Sequence, residues 1–325
     1  MIGLGVALAI LASIAYGFSD SLSGTVVRRH STAALALWAQ VVGLLVLGVG
    51  TAVRRPELSV PGLAWGVSAG AVGAVGVLAF YTALQRGRTS LVAPVAGAGV
   101  VLPVLAGVLG GDALSWQSGI GVAAAVLGVL LVAAAPGSDD DPDPDRPRTG
   151  VVRPVPGRTQ PVPAYDGCVP PRGAGSARSS IWLAGAAAVA FGLFFVVLER
   201  ATERAAPAGS DQDGFDAALP IALAVQVGAL AVTLVAATRH SRACLRPVRS
   251  LALSAAAVGL LDVTADLLVT VAVDRGPLAV VGPLASLDPV VAVLLATVVL
   301  RERVRPLAAL GVAAALVGIV LTATG

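Results

Sequence analysis

The chain is predicted to be an all-α integral membrane protein, with ten transmembrane helices arranged as two inverted five-helix repeats. Three observations predict it. The composition is 56% hydrophobic and only 13% charged, with a mean hydropathy of +0.87, too apolar for a soluble globular domain. Ten apolar segments of about 18 to 24 residues match a hydrocarbon core of about 30 Å. A polar stretch divides them five and five, and the two fives share sequence.

The first five expected spans are Ile2 to Ser19, Ala33 to Val53, Pro61 to Leu84, Ser90 to Gly110 and Trp116 to Ala135. No basic region precedes the first, so it is expected to remain as a spanning helix and not to be cleaved as a signal peptide. Asp20 with Arg28 and Arg29 marks its exit, and Arg54, Arg55 and Pro56 close the second. Glycines 66, 70, 73 and 76 give the third span the small-residue spacing that lets helices approach closely in lipid. Pro94 and Pro103 interrupt the fourth.

Residues 136–180 break the pattern. They hold ten of the 21 prolines and the acidic residues Asp139, Asp140, Asp141, Asp143 and Asp145. Such a segment buries no core and is expected to be a disordered linker. The apolar pattern resumes with Ile181 to Leu198, Ala217 to Ala237, Ser250 to Val273, Pro277 to Leu300 and Pro306 to Ala323. The domain reading is therefore 1–135, a linker over 136–180, and 181–325.

GVAAAVLGVLLVA at 121–133 aligns with GVAAALVGIVLTA at 311–323, with eight of thirteen positions identical. Within one residue, the same offset brings Arg86 and Gly87 onto Arg275 and Gly276, Pro94 onto Pro283, and Asp112 onto Glu302. Because five is odd, consecutive five-helix repeats cross the membrane in opposite senses. That plan places a binding site near the midplane between the halves. Proline in the fourth and ninth segments frees backbone groups, which is tolerable where the backbone lines a cavity.

The stretch 259–306 carries the candidate chemistry. Asp262 and Asp266 are four apart, hence on one helical face, and Asp288 stands before Pro289 in the next segment. An ionised Asp at the bilayer centre costs about 2.5 to 3.5 kcal/mol on insertion scales, which makes it a functional candidate by default. No arginine stands inside either segment. A carboxylate withdrawn from water without a cation favours its neutral form, so a proton or a cationic group is the expected ligand. The structural alternative is packing, with Thr264, Thr270 or groups on a neighbouring helix as hydrogen-bond partners, and Asp288 is alternatively a cap for the helix broken at Pro289. Trp38, Gln40 and Asp20 complete the candidate site, whereas Tyr16 and Tyr81 read as interfacial anchors.

AYGFSDSLSG at 15–24, YTALQRGRTSLVAPVAGAGVVLPVLAGVLGGD at 81–112, and GLLDVTADLL through VVGPLASLDPVVAVLLATVVLRERV resemble the EamA-type carriers of the drug/metabolite transporter superfamily. The likeness covers nearly all of the chain except the linker. It implies a ten-helix, two-repeat carrier with a central cavity lined by both halves, with acids at Asp20 and Asp262. Asp288 departs from the pattern.

Secondary transport of a small metabolite or drug-like solute, as an exporter driven by protons, is the resulting expectation, in the plasma membrane. Expected partners are the solute, the lipid bilayer, protons, and a second copy of the chain in a homodimer. No cofactor, no metal and no nucleic acid are expected. Cys168 and Cys244 lack metal or disulfide spacing, and His30 and His240 fall in connections. The alternatives are an intramembrane aspartyl protease and a non-transporting receptor or channel. Neither Tyr-Asp nor Gly-x-Gly-Asp stands in a spanning segment, which counts against the protease, and no phosphate-cradling loop supports an ATP-driven pump. Assigning loops alternately puts eleven arginines and the linker's six on one side, against five on the other. The positive-inside rule then places both termini outside, whereas the resemblance implies cytoplasmic termini.

Overall fold

The computed structural model describes residues 2–26, 30–86, 92, 95–112, 114–135, 177–205, 214–238, 245, 249–298 and 306–324. Nearly all of residues 136–180 lie outside them, apart from 177–180, which already form the first turn of a helix.

The helices, in chain order, are α1 (Ile2–Val26), α2 (Thr32–Arg54), α3 (Val60–Arg86), α4 (Val101–Gly110), α5 (Trp116–Ala134), α6 (Ala177–Glu203), α7 (Gly214–Ala237), α8 (Arg249–Arg275), α9 (Leu278–Ala285), α10 (Asp288–Val298) and α11 (Pro306–Thr324). Among the described residues, nine segments are long and apolar enough to cross a membrane, and the span Leu278–Leu295 is built from α9 and α10. A shorter apolar helix, Val95–Gly110, contains α4.

Two expectations change. The first helix runs through Asp20 to Val26, so Asp20 lies inside the span and does not mark its exit. The apolar segment from Pro277 is not one helix. It breaks at Ser286 and Leu287, where the Leu287 carbonyl accepts from Val290 N at 2.9 Å and Val291 N at 3.0 Å to start α10. Pro289 falls in that first turn, where its missing N–H costs nothing.

Without a hydrophobic force between helices in lipid, close backbone packing at small residues holds them together. The most extensive pairs are α5 with α11, α3 with α6, and α1 with α8. In the first, a Cβ on Gly128 would stand 2.6 Å from Ala315 N and one on Gly318 would stand 2.5 Å from Ala125 N. Gly121 faces Gly318 and Thr322, and Gly128 faces Gly311 and Ala315, so the two helices run antiparallel. These are the helices with the matching sequences.

A Gly128→Leu change drives a side chain into the backbone of α11. Overpacking of this kind costs about 1 to 3 kcal/mol. Gly119, on the same helix, has nothing within 4 Å of its Cβ position, so Gly119→Leu serves as the control. Thermal melts of the two purified variants are expected to show a lowered midpoint for the first and a wild-type midpoint for the second.

Candidate functional site

The close approach of α1 and α10 is set by Gly17. A Cβ there would stand 2.6 Å from Val291 Cβ and 3.1 Å from the Asp288 carbonyl oxygen. Three residues along α1, Asp20 reaches the Asp288 side chain, and the two carboxyls are hydrogen-bonded to each other. An ionised carboxyl only accepts, so a hydrogen bond between the two requires one of them to be protonated. Asp288 also bonds its own backbone amide, so one group at the helix break is satisfied as the capping alternative requires.

Alongside, α8 presents Asp262 and Asp266 to the same face of α1. Tyr16 Oη donates to Asp266 Oδ1 at 2.6 Å, and Ser19 bonds Asp262. The threonines proposed as packing partners are engaged elsewhere. Thr264 donates to the Leu260 carbonyl at 2.7 Å and Thr270 to the Asp266 carbonyl at 2.6 Å, both backbone acceptors. Tyr16 also lies in the field of Asp262 and Asp288, and Tyr81 of α3 in that of Asp20 and Asp262. Tyr16, which bonds Asp266 directly, therefore belongs to the acid cluster and not to an interfacial belt. Asp20 retains exposed surface beside these partners.

Trp38 and Gln40 do not join the acids. Trp38 Nε1 donates to the Leu245 carbonyl at 2.9 Å, tying α2 to the chain before α8. The Gln40 backbone carbonyl accepts from Gln226 Nε2 at 2.9 Å, while Gln40 Oε1 is buried without a partner among the described residues. Gln226, buried on α7, touches the Gly43 that packs on Val263, one residue from Asp262.

The repeat relation exposes an asymmetry. Gly192 on α6 meets Leu102 and Gly99 as Gly17 meets Val291 and Asp288. Offsets of 175 between α1 and α6, and of 189 from α3 to α8 and from 99–102 to 288–291, superimpose these contacts. Under them Tyr16, Ser19 and Asp20 correspond to Phe191, Phe194 and Phe195, while Asp262, Asp266 and Asp288 correspond to Gly73, Val77 and Gly99. The aromatic half packs accordingly: a Cβ on Gly73 would stand 3.1 Å from Phe194 Cδ2, and Phe80 and Phe191 stack edge-on at 6.2 Å. Phe80 in turn lies 5.8 Å from the Tyr81 ring. One half of the core is acidic and hydroxylated, and its counterpart is aromatic.

These features define a multi-pass helical membrane protein with an acid-lined interior. The profile of the EamA-like transporter family matches residues 3–134 and 178–324, and the chain belongs to that family. No curated protein matches it. A solved crystal structure, described only as that of a protein, superimposes with a TM-score of 0.64 at 17% identity, covering 98% of this chain and 95% of its own. That likeness extends to the fold alone.

If Asp20 and Asp288 share one proton, neutralising either should leave the hydrogen bond intact. Asp20→Asn is then expected to melt within about 0.5 kcal/mol of wild type. Asp20→Ala, which strands Asp288, should lose about 1 to 3 kcal/mol, read as a lowered midpoint in thermal denaturation of the purified protein.

Proposed function

We propose that this protein is a secondary transporter, an exporter of a small metabolite or drug-like solute, working by alternating access in exchange for protons. The reading rests chiefly on one observation: four carboxyls, Asp20, Asp262, Asp266 and Asp288, gather inside the bundle, two of them paired with each other. Carboxyls at this depth bind a proton or a cationic group in place of a permanent counter-ion.

Ten spans in two inverted repeats form the frame of this proposal. Its support is the antiparallel α5–α11 contact and the exchange of partners, in which α1 on α8 is mirrored by α6 on α3 and α2 on α8 by α7 on α3. Helices related in this way rock about a shared midplane site. A proton taken up at Asp262 or at the Asp20–Asp288 pair on one side is released on the other, and the solute moves against it.

The paired carboxyls of Asp20 and Asp288 also suit an aspartyl hydrolase, which needs two acids sharing a proton. Family membership and the accessible acid-lined interior favour transport.

Proteoliposomes carrying an internal pH dye test the proposal against a panel of metabolites and drug-like solutes. Asp262→Asn keeps shape and hydrogen bonding but does not titrate. It is expected to insert normally, to retain solute exchange, and to lose proton flux and gradient-driven accumulation by at least about tenfold, the lower end of what a positioned proton carrier contributes. Accumulation by this variant under an imposed pH difference would return Asp262 to a packing role.

A further inference from the structure

A second site lies on the back of α8, away from the acids. Asp262 and Asp266 point toward α1. At 100° per residue, Leu253, Leu260, Thr264, Leu267, Val271 and Arg275 form a stripe on the opposite side of the helix. Its lower part is open, with Leu253 76% and Leu260 52% exposed, and an apolar face of this kind on a spanning helix meets lipid tails. Its upper part enters a cavity of about 530 Å³, where Leu267 and Val271 form the floor, Leu4 and Leu8 of α1 one wall and Leu219 of α7 the other. Leu4 is 51% exposed, so the cavity is continuous with the outer surface of the bundle.

Arg54 and Arg275 stand at the end of this groove with Asp216. The charges are unevenly committed. Asp216 takes Arg54 in a bidentate pair, with Nε to Oδ1 and Nη2 to Oδ2 both at 2.8 Å. Among the described residues Asp274 reaches Arg275 at Nε, at 3.3 Å, while Arg275 Nη2 lies against Gly214 in the cavity wall. The groove is therefore apolar along its length and headed by the outer nitrogens of a guanidinium, at the end of a membrane helix where lipid headgroups sit.

We propose that this groove binds one anionic phospholipid of the surrounding leaflet, with its phosphate on Arg275 and an acyl chain along Val271, Leu267 and Leu260. Charge and length both fit. Guanidinium pairs with phosphate through parallel N–H groups. The helix from Leu260 to Arg275 rises about 22 Å, longer than the roughly 15 Å half of a hydrocarbon core that one leaflet's chains fill. The site is separate from the carboxyls, because α8 lies between them, and it does not depend on which solute the protein carries.

Native mass spectrometry of the full-length protein, released from detergent after equilibration with dioleoyl phosphatidylglycerol or dioleoyl phosphatidylcholine, tests the assignment. Wild type is expected to retain the anionic lipid about fivefold over the neutral one, the weight of one arginine near an anionic lipid surface. Arg275→Gln is expected to bring the two lipids to parity. Leu4→Trp, which fills the groove mouth from an exposed position and leaves every charge in place, is expected to reduce retention of the anionic lipid. Equal retention of the two lipids by wild type overturns the proposal, as does undiminished retention in Leu4→Trp. Displacement of the lipid by millimolar inorganic phosphate also overturns it, because it would show a site for the anion without the chain.

Discussion

The missing side chain at Gly17 is the constraint on which the acid cluster depends. With any Cβ at that place, α1 could not lie so close to Val291 and the Asp288 carbonyl, and Asp20 could not reach its partner. The break at Ser286–Leu287 contributes equally, since it puts Asp288 at the start of α10 and not in the middle of a continuous helix. The start of α9, the helix before that break, is held from the other repeat. Asp112, after α4, accepts from Ala279 N at 3.0 Å in the first turn of α9, satisfying an amide that a helix start leaves without an intrahelical acceptor. A glycine contact, a broken helix and a cross-repeat cap thus act together to set one pair of carboxyls.

The two halves retain matching backbone contacts while differing in the side chains they present. Gly17 and Gly192 sit in equivalent contacts, yet the residues that follow are Ser19 and Asp20 in one case and Phe194 and Phe195 in the other. A purely structural requirement for polar groups would recur in both halves, because both make the same approach. It does not recur. The aromatic half shows that the backbone arrangement is stable without acids, so the carboxyls are additions to a frame that packs without them.

Much of this was legible in the sequence. Hydropathy gave the spans, and the thirteen-residue match between α5 and α11 identified helices that the fold packs against each other. Asp262 and Asp266 were legible because a four-residue spacing on a helix admits one geometry. Tyr16 was not, although it lies three and four residues before Ser19 and Asp20 and therefore on their side of α1. An aromatic residue in a membrane helix suggests a belt, and only the partner helix shows that its hydroxyl meets Asp266. Trp38 and Gln40 show the opposite case. Their polarity marked them, but polarity alone does not say which neighbour a helix face meets, and α2 turns them toward Leu245 and Gln226.

The energetics explain why four acids can share one region of a membrane protein. Each would cost about 2.5 to 3.5 kcal/mol if ionised at the bilayer centre, and like charges side by side would add to that. The observed partners remove part of the conflict: Asp20 and Asp288 are paired with each other, while Tyr16 and Ser19 donate to Asp266 and Asp262. None of these partners is a fixed positive charge. A salt bridge would have stabilised the ionised acids permanently and made their protonation costly. Hydroxyl donors leave the charge adjustable, as the proposed proton exchange requires.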